Sequence, residues 1–485
     1  MNATLPTLDQ VSPAAAWQPW QPTPADPWGR KWAAHLYRRA AFGPGREELL
    51  EAERLGPAGT LDLLLTGRPG AEENLQSLLD VGRAVAASED SGDKLRGWWL
   101  YAMLQSGHPL REKLALFWHN HFATSITKVR SPGLMFRQNC AIRDHALGRF
   151  GPFLQAISQD GAMLVWLDSN RNIKGKPNEN FARELMELFS LGVGNYTEAD
   201  IREVARAFTG WHTDGERFRF KPELHDAGSK TVFGKTGNWD GGDIVKIVLE
   251  QPAAARFLVR KLYAFYVSEV PPPDALLEPL CESFRKTDYD ITGLLRTMVS
   301  SRHFYSAHSF RQRVKGPVEY VLGAVRAVYR EYPESDPEYR PLPTQVLVPR
   351  LAAMGQALFA PPNVKGWRGG RDWLTTSTML ERANFAAALA TGTLWTAPGG
   401  PDLAPAAAMP QALDPARVVT EERVARPEDI ARVLLDLYVP GGVRPVAHDK
   451  LMAFLAAGAP TGADLADRVR EAVHAVLSIP ESQLA

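Results

Sequence analysis

Apolar residues recur every three to four positions along most of the chain, which is the spacing of one face of an α-helix. The pattern predicts helix after helix from Trp28 to about Arg330. The strongest helical segments are 110–122, 178–192, 198–212, 252–268 and 313–330. No internal repeat accompanies them, so we predict an all-α fold in which the helices form a large irregular bundle rather than a solenoid.

Three polar pairs at spacing i, i+3 predict where helices begin, because a capping side chain satisfies backbone N–H groups of the first turn. They are Thr197 with Asp200, Asp240 with Asp243, and Thr378 with Glu381. The first two pairs are acidic variants of the capping box, and the third has the full capping-box pattern.

Two patches interrupt the helical pattern. Residues 214–238 contain aromatic residues among several glycines, which predicts a small β-hairpin or an ordered loop. Residues 331–345 are rich in proline and are predicted to link two lobes. A further Pro/Ala-rich stretch, 396–416, precedes a C-terminal tail with helices predicted near 427–438 and 463–477.

These boundaries divide the chain into four predicted parts. They are an N-terminal arm rich in Pro, Ala and Trp (1–27), a main helical domain (28–330), a Pro-rich link with a C-terminal motif lobe (331–395), and a linker with the helical tail (396–485). Trp17 and Trp20 are too apolar to be left in water, so we expect the arm to dock on the body. An arm that binds a partner is the alternative.

Charge and cysteine content exclude several classes of protein. The 55 basic and 55 acidic residues cancel, so the chain lacks the overall positive charge of a nucleic-acid-binding protein. The only cysteines, Cys140 and Cys281, allow neither a disulfide framework nor a Cys/His zinc motif. Dinucleotide-binding and phosphate-binding glycine loops are also missing from the sequence, so no nucleotide or flavin cofactor is indicated.

The N-terminal residues and the hydropathy pattern predict where the protein is found. The N-terminus has neither the basic nor the apolar region of a secretory signal. No run approaches the roughly 18–20 apolar residues that cross a bilayer. The sequence therefore predicts a soluble cytoplasmic protein without a membrane span.

The helix 111–122 contains two histidines on different faces. His121 lies on the apolar stripe with Leu114 and Trp118, whereas His119 lies about 200° around the helix from that stripe. In a regular helix the two imidazoles cannot bind one ion together. His121 is a candidate metal ligand, and a core histidine without a ligand is the alternative.

A stripe of polar residues runs beside the apolar stripe of the helix 178–192. Asn180, Glu184 and Glu187 fall at i, i+4 and i+7, next to a predicted core stripe of Phe181, Leu185, Leu188 and Gly192. Partly buried carboxylates need a metal, an arginine or a proton. Arg183 could neutralise Glu187, and the alternative to a functional role is a structural Glu/Arg network or a solvated face.

Three further polar residues follow in the next helix and loop. His212 continues the apolar stripe of 198–212 and is predicted to lie at the C-terminus of that helix, as a cap or as a ligand. His225 and Asp226 are adjacent in a loop, and Lys230 follows them. Loops on a rigid helical scaffold commonly carry functional residues.

The C-terminal motif APPNVKGW predicts a rigid loop, because Pro-Pro and the later Gly-Gly restrict or shape its backbone. Trp367 and Trp373 could stack on a sugar or another flat ligand, and Asn363 and Lys365 could orient it. The alternative is a buried loop that the tryptophans attach to the helices.

Seven strings of sequence resemble the bacterial "domain of unknown function 1800" family. They are LYRRAAFGP (36–44), REKLALFWHNHFATS (111–125), NENFARELMELFSLGVGNYTEADIREVARAFTGW (178–211), HDAGSKTVFG (225–234), RFLVRKLYAFYVSE (256–269), KGPVEYVLGAVRAV (315–328) and LFAPPNVKGWRGGRDWLTTSTMLERANF (358–385). The resemblance spans roughly residues 30–390. It implies a helical bacterial protein, often exported and often encoded beside sulfatase-like and phosphatase-like proteins, and it brings no established catalytic residues.

Two functions follow from these candidates. The first is a metal-dependent hydrolase, with Zn, Mn or Fe held by His121, Glu184, His212, His225 and Asp226. Glu187 would then act as general base, and Lys230 would contact an anionic substrate. The second is a non-catalytic binding or assembly protein whose Trp-rich loop binds a small molecule, a glycan or a protein partner. A redox iron protein is a third alternative, but its Glu-x-x-His pairs are missing from these helices.

Overall fold

Helices account for most of the chain in the computed structural model, which describes residues 7–88, 91–329, 342–395, 414–417, 419 and 423–485. The α-helices are α1 (Pro13–Ala16), α2 (Arg30–Ala40), α3 (Arg46–Thr66), α4 (Ala71–Ala87), α5 (Ser91–Gln105), α6 (Pro109–His121), α7 (Ile126–Val129), α8 (Pro132–His145), α9 (Phe150–Ser158), α10 (Gly161–Trp166), α11 (Glu179–Glu184), α12 (Glu198–Ala207), α13 (Gly241–Leu249), α14 (Pro252–Tyr266), α15 (Asp274–Lys286), α16 (Ile291–Ser300), α17 (Pro317–Val328), α18 (Val348–Ala353), α19 (Thr376–Thr391), α20 (Pro427–Tyr438), α21 (Pro445–Ala456) and α22 (Gly462–Ser478). The all-α prediction is confirmed.

The capping side chains explain where several helices begin. Thr197 and Asp240 each accept hydrogen bonds from backbone N–H groups of the first turn, as their spacing predicts. The third prediction is wrong, because α19 begins one turn earlier than expected. Its N-cap is Thr375, whose hydroxyl accepts from the backbone N–H of Thr378, so Thr378 lies inside the helix.

Two small antiparallel sheets occupy the predicted hairpin region. Strand β1 (Trp211–Thr213) pairs with β2 (Phe218–Phe220), and β3 (Lys230–Val232) pairs with β4 (Lys235–Gly237). In the first sheet Trp211 lies opposite Phe220, and its ring packs edge-on against Phe218 at 5.1 Å. The small β insertion is thus confirmed, as two hairpins rather than one.

A continuous hydrophobic core joins the helices from the N-terminal arm to the C-terminal tail. In the arm, Trp17 is buried and its indole N–H donates to the carbonyl of Leu276 at 2.6 Å. Trp20 stacks on Tyr305 with ring centroids 4.6 Å apart. The described part of the arm therefore packs on the body through its tryptophans.

The C-terminal helices pack into the same core. Helix α22 lies along α19, and α20 and α21 pack against each other. The predicted tail helices coincide with α20 and α22. Most of the predicted Pro-rich link, 331–341, and most of the linker 396–416 lie outside the described residues.

None of the described helices combines the length and the apolar character that a lipid bilayer requires of a spanning segment.

Candidate functional site

The two histidines of α6 are both buried among aromatic rings. His119 packs edge-on against Trp99 at 5.1 Å, and burial lowers its pKa to about 3. Nε2 of His121 lies 3.0 Å from the carbonyl oxygen of Phe189, and burial holds its pKa well below the ordinary value. Both imidazoles are therefore neutral, and His121 uses one ring nitrogen for a backbone hydrogen bond.

The predicted helix 178–192 is divided into two kinds of helix. After α11 the backbone forms a π-helix over Leu185–Ser190, and the N–H of Leu191 donates to Met186, five residues back. The wider turn moves the core stripe from Leu188, which is only partly buried, to Phe189 and its neighbours. The predicted stripe is therefore wrong beyond Leu185, because it assumed 3.6 residues per turn throughout.

Glu187 has a different partner from the predicted Arg183. Arg183 pairs with Glu198 at 2.9 Å and with Glu179 at 3.2 Å, so it does not neutralise Glu187. Glu187 instead accepts a hydrogen bond of 2.8 Å from the hydroxyl of Tyr196. Burial, followed by the charge of Glu187, raises the pKa of Glu184, while Lys365 opposes that shift.

His212 does not lie at a helix C-terminus. Helix α12 ends at Ala207, and Gly210, with φ of 79°, turns the chain into strand β1, which contains His212. The helix prediction was wrong here because glycine in the left-handed region ends the helix first. The ring of His212 is buried, its Nε2 has no hydrogen-bond partner among the described residues, and burial lowers its pKa.

His225, Asp226 and Lys230 form a separate group beside α12. Nδ1 of His225 lies 2.9 Å from the carbonyl oxygen of Thr209. Asp226 accepts from Nε of Arg206 at 2.8 Å, and this hydrogen bond lowers the pKa of Asp226 to about 2. Lys230 is buried and donates to the carbonyl of Gly228 at 3.0 Å. These contacts attach the loop to α12.

The predicted metal ligands therefore lie in different surroundings. In the part of the chain that the structure describes, no three His, Cys, Asp or Glu side chains are grouped so that they could hold a metal ion. His121 is enclosed by aromatic rings, and Asp226 is bound to Arg206. The five residues from which the sequence builds a ligand set are not brought into one cluster.

The C-terminal motif lies against α6 instead. Oδ1 of Asn120 accepts from the backbone N–H of Trp367 at 2.6 Å, and its Nδ2 approaches the carbonyl of the same residue at 3.4 Å. Asn363 shapes the turn, because its Oδ1 accepts from the N–H of Lys365 at 2.9 Å. The loop thus brings Lys365 into the electrostatic neighbourhood of Glu184.

An open cleft of about 800 Å³ lies between α6, the C-terminal part of α14 with residues 269–271, the segment 311–316, and the loop 367–373. Both predicted tryptophans line it, whereas Asn363 and Lys365 do not. Trp367 is 5% exposed and Trp373 9% exposed, so their rings are largely covered and leave little face for stacking.

Hydrogen-bond donors without acceptors characterise the walls of this cleft. Among the described residues, no acceptor is found for the ammonium of Lys261, the side chain of Arg371, the Nε2 of Gln356 or either indole N–H. Nε of Arg313 is buried and also unpaired. We call this the donor-lined cleft; it is defined by Lys261, Arg313, Gln356, Trp367, Arg371 and Trp373.

The charged lining of the donor-lined cleft is predominantly positive. The charged side chains are Lys261, Arg311, Arg313, Arg371, Glu269 and Glu319. Glu319 is already neutralised, because it pairs with buried Lys113 and with both terminal nitrogens of Arg313. Burial alone would raise the pKa of Glu319, but these two cations hold it well below its usual range. The remaining lining carries an excess of positive charge.

Two titratable groups of the cleft are shifted in opposite directions. Burial lowers the pKa of Lys261 to about 8, and it raises the pKa of Glu269, whose carboxylate accepts from the N–H of Val314 at 3.2 Å. Several titratable groups in one cleft whose pKa values are shifted to favour their uncharged forms are typical of ligand-binding and catalytic sites.

Sequence reasoning missed most of these residues. One signal was available for Lys261, because Phe257 and Phe265 flank it at i−4 and i+4 and a charged residue therefore interrupts an aromatic stripe. Asn120 lies between two histidines that are stronger metal-ligand candidates, and nothing in the local pattern indicates its role. Arg313 and Glu269 carry no local signal, since only the tertiary structure brings them to the cleft.

Fold and cleft together define a large all-α protein with a positively charged, donor-lined cleft between its helices and a C-terminal loop. The chain belongs to the family described as "Protein of unknown function (DUF1800)", whose model matches residues 35–484. The resemblance seen in the sequence is thereby confirmed. Neither a curated protein nor a solved structure matches the chain.

Proposed function

We propose that this protein binds an anionic, oxygen-rich small molecule in the donor-lined cleft, with acidic saccharides as the ligand class to test first. The observation that carries the proposal is the set of donors without acceptors on the cleft walls. A ligand rich in acceptors gains hydrogen bonds to these donors by occupying the cleft.

The charges support an anion rather than a neutral ligand. Glu319 is neutralised by Lys113 and Arg313, so it does not offset the positive charges of Lys261 and Arg371. Arg371 is exposed and has no ion pair among the described residues, which leaves its guanidinium free for a carboxylate, sulfate or phosphate. A bidentate contact of this kind gives orientation as well as affinity.

The shape of the site fits a small molecule. A volume of about 800 Å³ lies within the range of small-molecule pockets, roughly 300–1,000 Å³. Phe117 and Phe265 line the cleft together with Trp367 and Trp373, so its lining combines apolar rings with donor-bearing side chains. Apolar walls with a few placed donors suit a sugar ring that carries an acidic group.

The test is calorimetric titration with matched pairs of ligands: glucuronate against glucose, galacturonate against galactose, and glucose 6-phosphate against glucose. We expect the acidic member of at least one pair to bind more tightly, with affinity that falls as salt concentration rises. Arg371→Ala should weaken that binding about fivefold, corresponding to roughly 1 kcal/mol.

The matched control is Arg368→Ala, three residues away. The Arg368 side chain is 89% exposed and does not line the cleft, so its removal should leave binding unchanged. Equal binding of acidic and neutral ligands, or equal effects of the two arginine variants, would show that the proposal is wrong.

A metal-dependent hydrolase is the second candidate, and Glu184 is the observation that favours it. Burial and the neighbouring carboxylate of Glu187 raise its pKa, and a metal cation held beside the two carboxylates would relieve their mutual repulsion. Elemental analysis of purified protein offered Zn, Mn and Fe tests this candidate. About one bound metal per chain that is lost in both Glu184→Gln and His121→Ala would favour the hydrolase, and a metal content unaffected by either variant would count against it.

A further inference from the structure

Lys261 differs from the other basic residues of α14 in having no counter-ion in the part of the chain that the structure describes. Arg256 pairs with Glu278 at 3.2 Å, and Arg260 pairs with Asp274. The ammonium of Lys261 has neither a hydrogen bond nor an ion pair among the described residues. It lies 5.1 Å from the ring centroid of Phe257 and is half-buried at the wall of the donor-lined cleft.

No acidic neighbour among the described residues offsets the effect of burial on the pKa of Lys261. The ring of His121 on α6 is close enough for the two to interact electrostatically, and burial keeps that ring neutral. Burial alone lowers the pKa of Lys261 to about 8. At pH 7 about one tenth of the side chain is then free amine, roughly 200-fold more than for an ordinary lysine with a pKa near 10.4.

An apolar setting and a free amine are the conditions under which lysine acts as a nucleophile. We propose that Lys261 forms an imine with the aldehyde or ketone group of an oxo acid bound in the donor-lined cleft. This inference rests on the proposed function, since the acidic group of the ligand is held by the donors that the proposed function assigns to it.

The step balances without any further reactant. The lone pair of the neutral amine attacks the carbonyl carbon, a C–N bond forms, and the carbonyl π electrons move to oxygen, which gains a proton as nitrogen loses one. The carbinolamine then loses its hydroxyl with a proton as one water molecule, and the C=N bond forms. Glu269 lines the same cleft, and burial raises its pKa, which is the direction that a general acid for the departing hydroxyl requires.

Reductive trapping tests this inference. The full-length protein is incubated at pH 7 with glyoxylate and sodium cyanoborohydride, which converts an imine into a stable carboxymethylated amine, and the adduct is located by peptide mass mapping. We expect Lys261 to be modified at least about tenfold faster than Lys246, an exposed lysine of α13. The adduct should disappear in Lys261→Arg and persist in Lys246→Arg.

Each outcome separates the two proposals. No adduct on Lys261, or equal modification of Lys261 and Lys246, would overturn the imine inference even if acidic sugars bind. Tight binding of glucuronate without an adduct would leave the proposed function standing alone. An adduct at Lys261 that excess glucuronate suppresses would support both proposals, because the two molecules would then compete for one cleft. Circular dichroism of Lys261→Arg verifies that loss of the adduct is not loss of the fold.

Discussion

The side chain of Asn120 contacts both the backbone N–H and the backbone carbonyl of Trp367, which lies 247 positions away in the chain. Its Oδ1 accepts from the backbone N–H of Trp367 at 2.6 Å, and its Nδ2 lies 3.4 Å from the carbonyl oxygen of the same residue. The amide of Asn120 thus provides the loop with the acceptor and the donor that a neighbouring β-strand would otherwise provide. It fixes Trp367 against α6 and so sets one wall of the donor-lined cleft.

Replacing Asn120 by Ala should loosen this loop. The N–H of the buried Trp367 would lose its acceptor, and we expect the free energy of unfolding to fall by about 1–3 kcal/mol. Urea titration followed by circular dichroism measures the change. Asn180→Ala is the control, because the exposed Asn180 side chain makes no hydrogen bond among the described residues. Equal stability of the two variants would contradict the role assigned to Asn120.

Gly366 should tolerate no side chain. Its φ is +77°, and a β-carbon there would clash with Oδ1 and the backbone oxygen of Asn120. We therefore expect Gly366→Ala to destabilise the protein by about 1–3 kcal/mol, through the left-handed backbone and the clash together. Thermal unfolding measures this effect. A β-carbon added at Gly369 would have no atom within 4 Å, and φ there is −102°. Gly369→Ala should therefore change stability by less than about 0.5 kcal/mol.

Glu319 should be the most sensitive carboxylate of the core. Glu319→Gln leaves buried Lys113 and Arg313 without their negative partner, which should cost about 3–5 kcal/mol at pH 7. The contacts hold the pKa of Glu319 below its unfolded value, so the stabilisation is present above about pH 4.3 and declines as pH falls further.

The pH dependence of the stability difference tests whether the effect of Glu319→Gln is electrostatic. The stability gap between wild type and Glu319→Gln, measured by urea unfolding, should narrow as pH falls below about 4.3. Glu428→Gln, at an exposed position with no ion pair among the described residues, should show no such gap. A gap for Glu319→Gln that does not depend on pH would contradict the electrostatic explanation.

Lys261 should lower the stability of the protein at neutral pH. Burial lowers its pKa to about 8 in the folded state, so between pH 8 and about 10.4 the unfolded chain binds more protons and stability rises with pH. Lys261→Met should therefore be more stable than wild type at pH 7 by about 1–2 kcal/mol, after allowance for solvent screening, and the difference should shrink toward pH 10.

The control for Lys261 is Lys246→Met. The Lys246 side chain is 78% exposed, so its substitution should change stability by less than about 0.5 kcal/mol. Denaturant unfolding at pH 7, 8, 9 and 10 compares the three proteins. A constant difference between wild type and Lys261→Met across this range would show that the amine is not desolvated in the folded state.

The sequence predicted well those features that depend on neighbours in the chain. The apolar periodicity of α6, α14 and α20 predicted helices within a few residues of their observed bounds, because a repeat of 3.6 residues selects one buried face. Thr197 predicted the start of α12 for the same local reason, since its hydroxyl caps an N–H three residues away.

Local reasoning failed where backbone geometry departed from the regular helix. A π-helical segment over Leu185–Ser190 shifted the faces on which Glu187 and Leu188 were placed, and Gly210 ended the helix before His212. The apolar pattern also fits these segments as regular helix, because the periodicity of a few residues does not distinguish a wider turn from an ordinary one.

Only the tertiary structure decided which polar residues share a site. Histidines and acids that are close in sequence were separated, since His121 was enclosed by aromatic rings and Asp226 was bound by Arg206. Lys261, Arg313 and Trp367 instead meet at one cleft from distant parts of the chain. Hydrophobic periodicity determines which face of a helix is buried, but the packing of helices against loops determines which buried polar groups remain unpaired, and on those groups the proposed site depends.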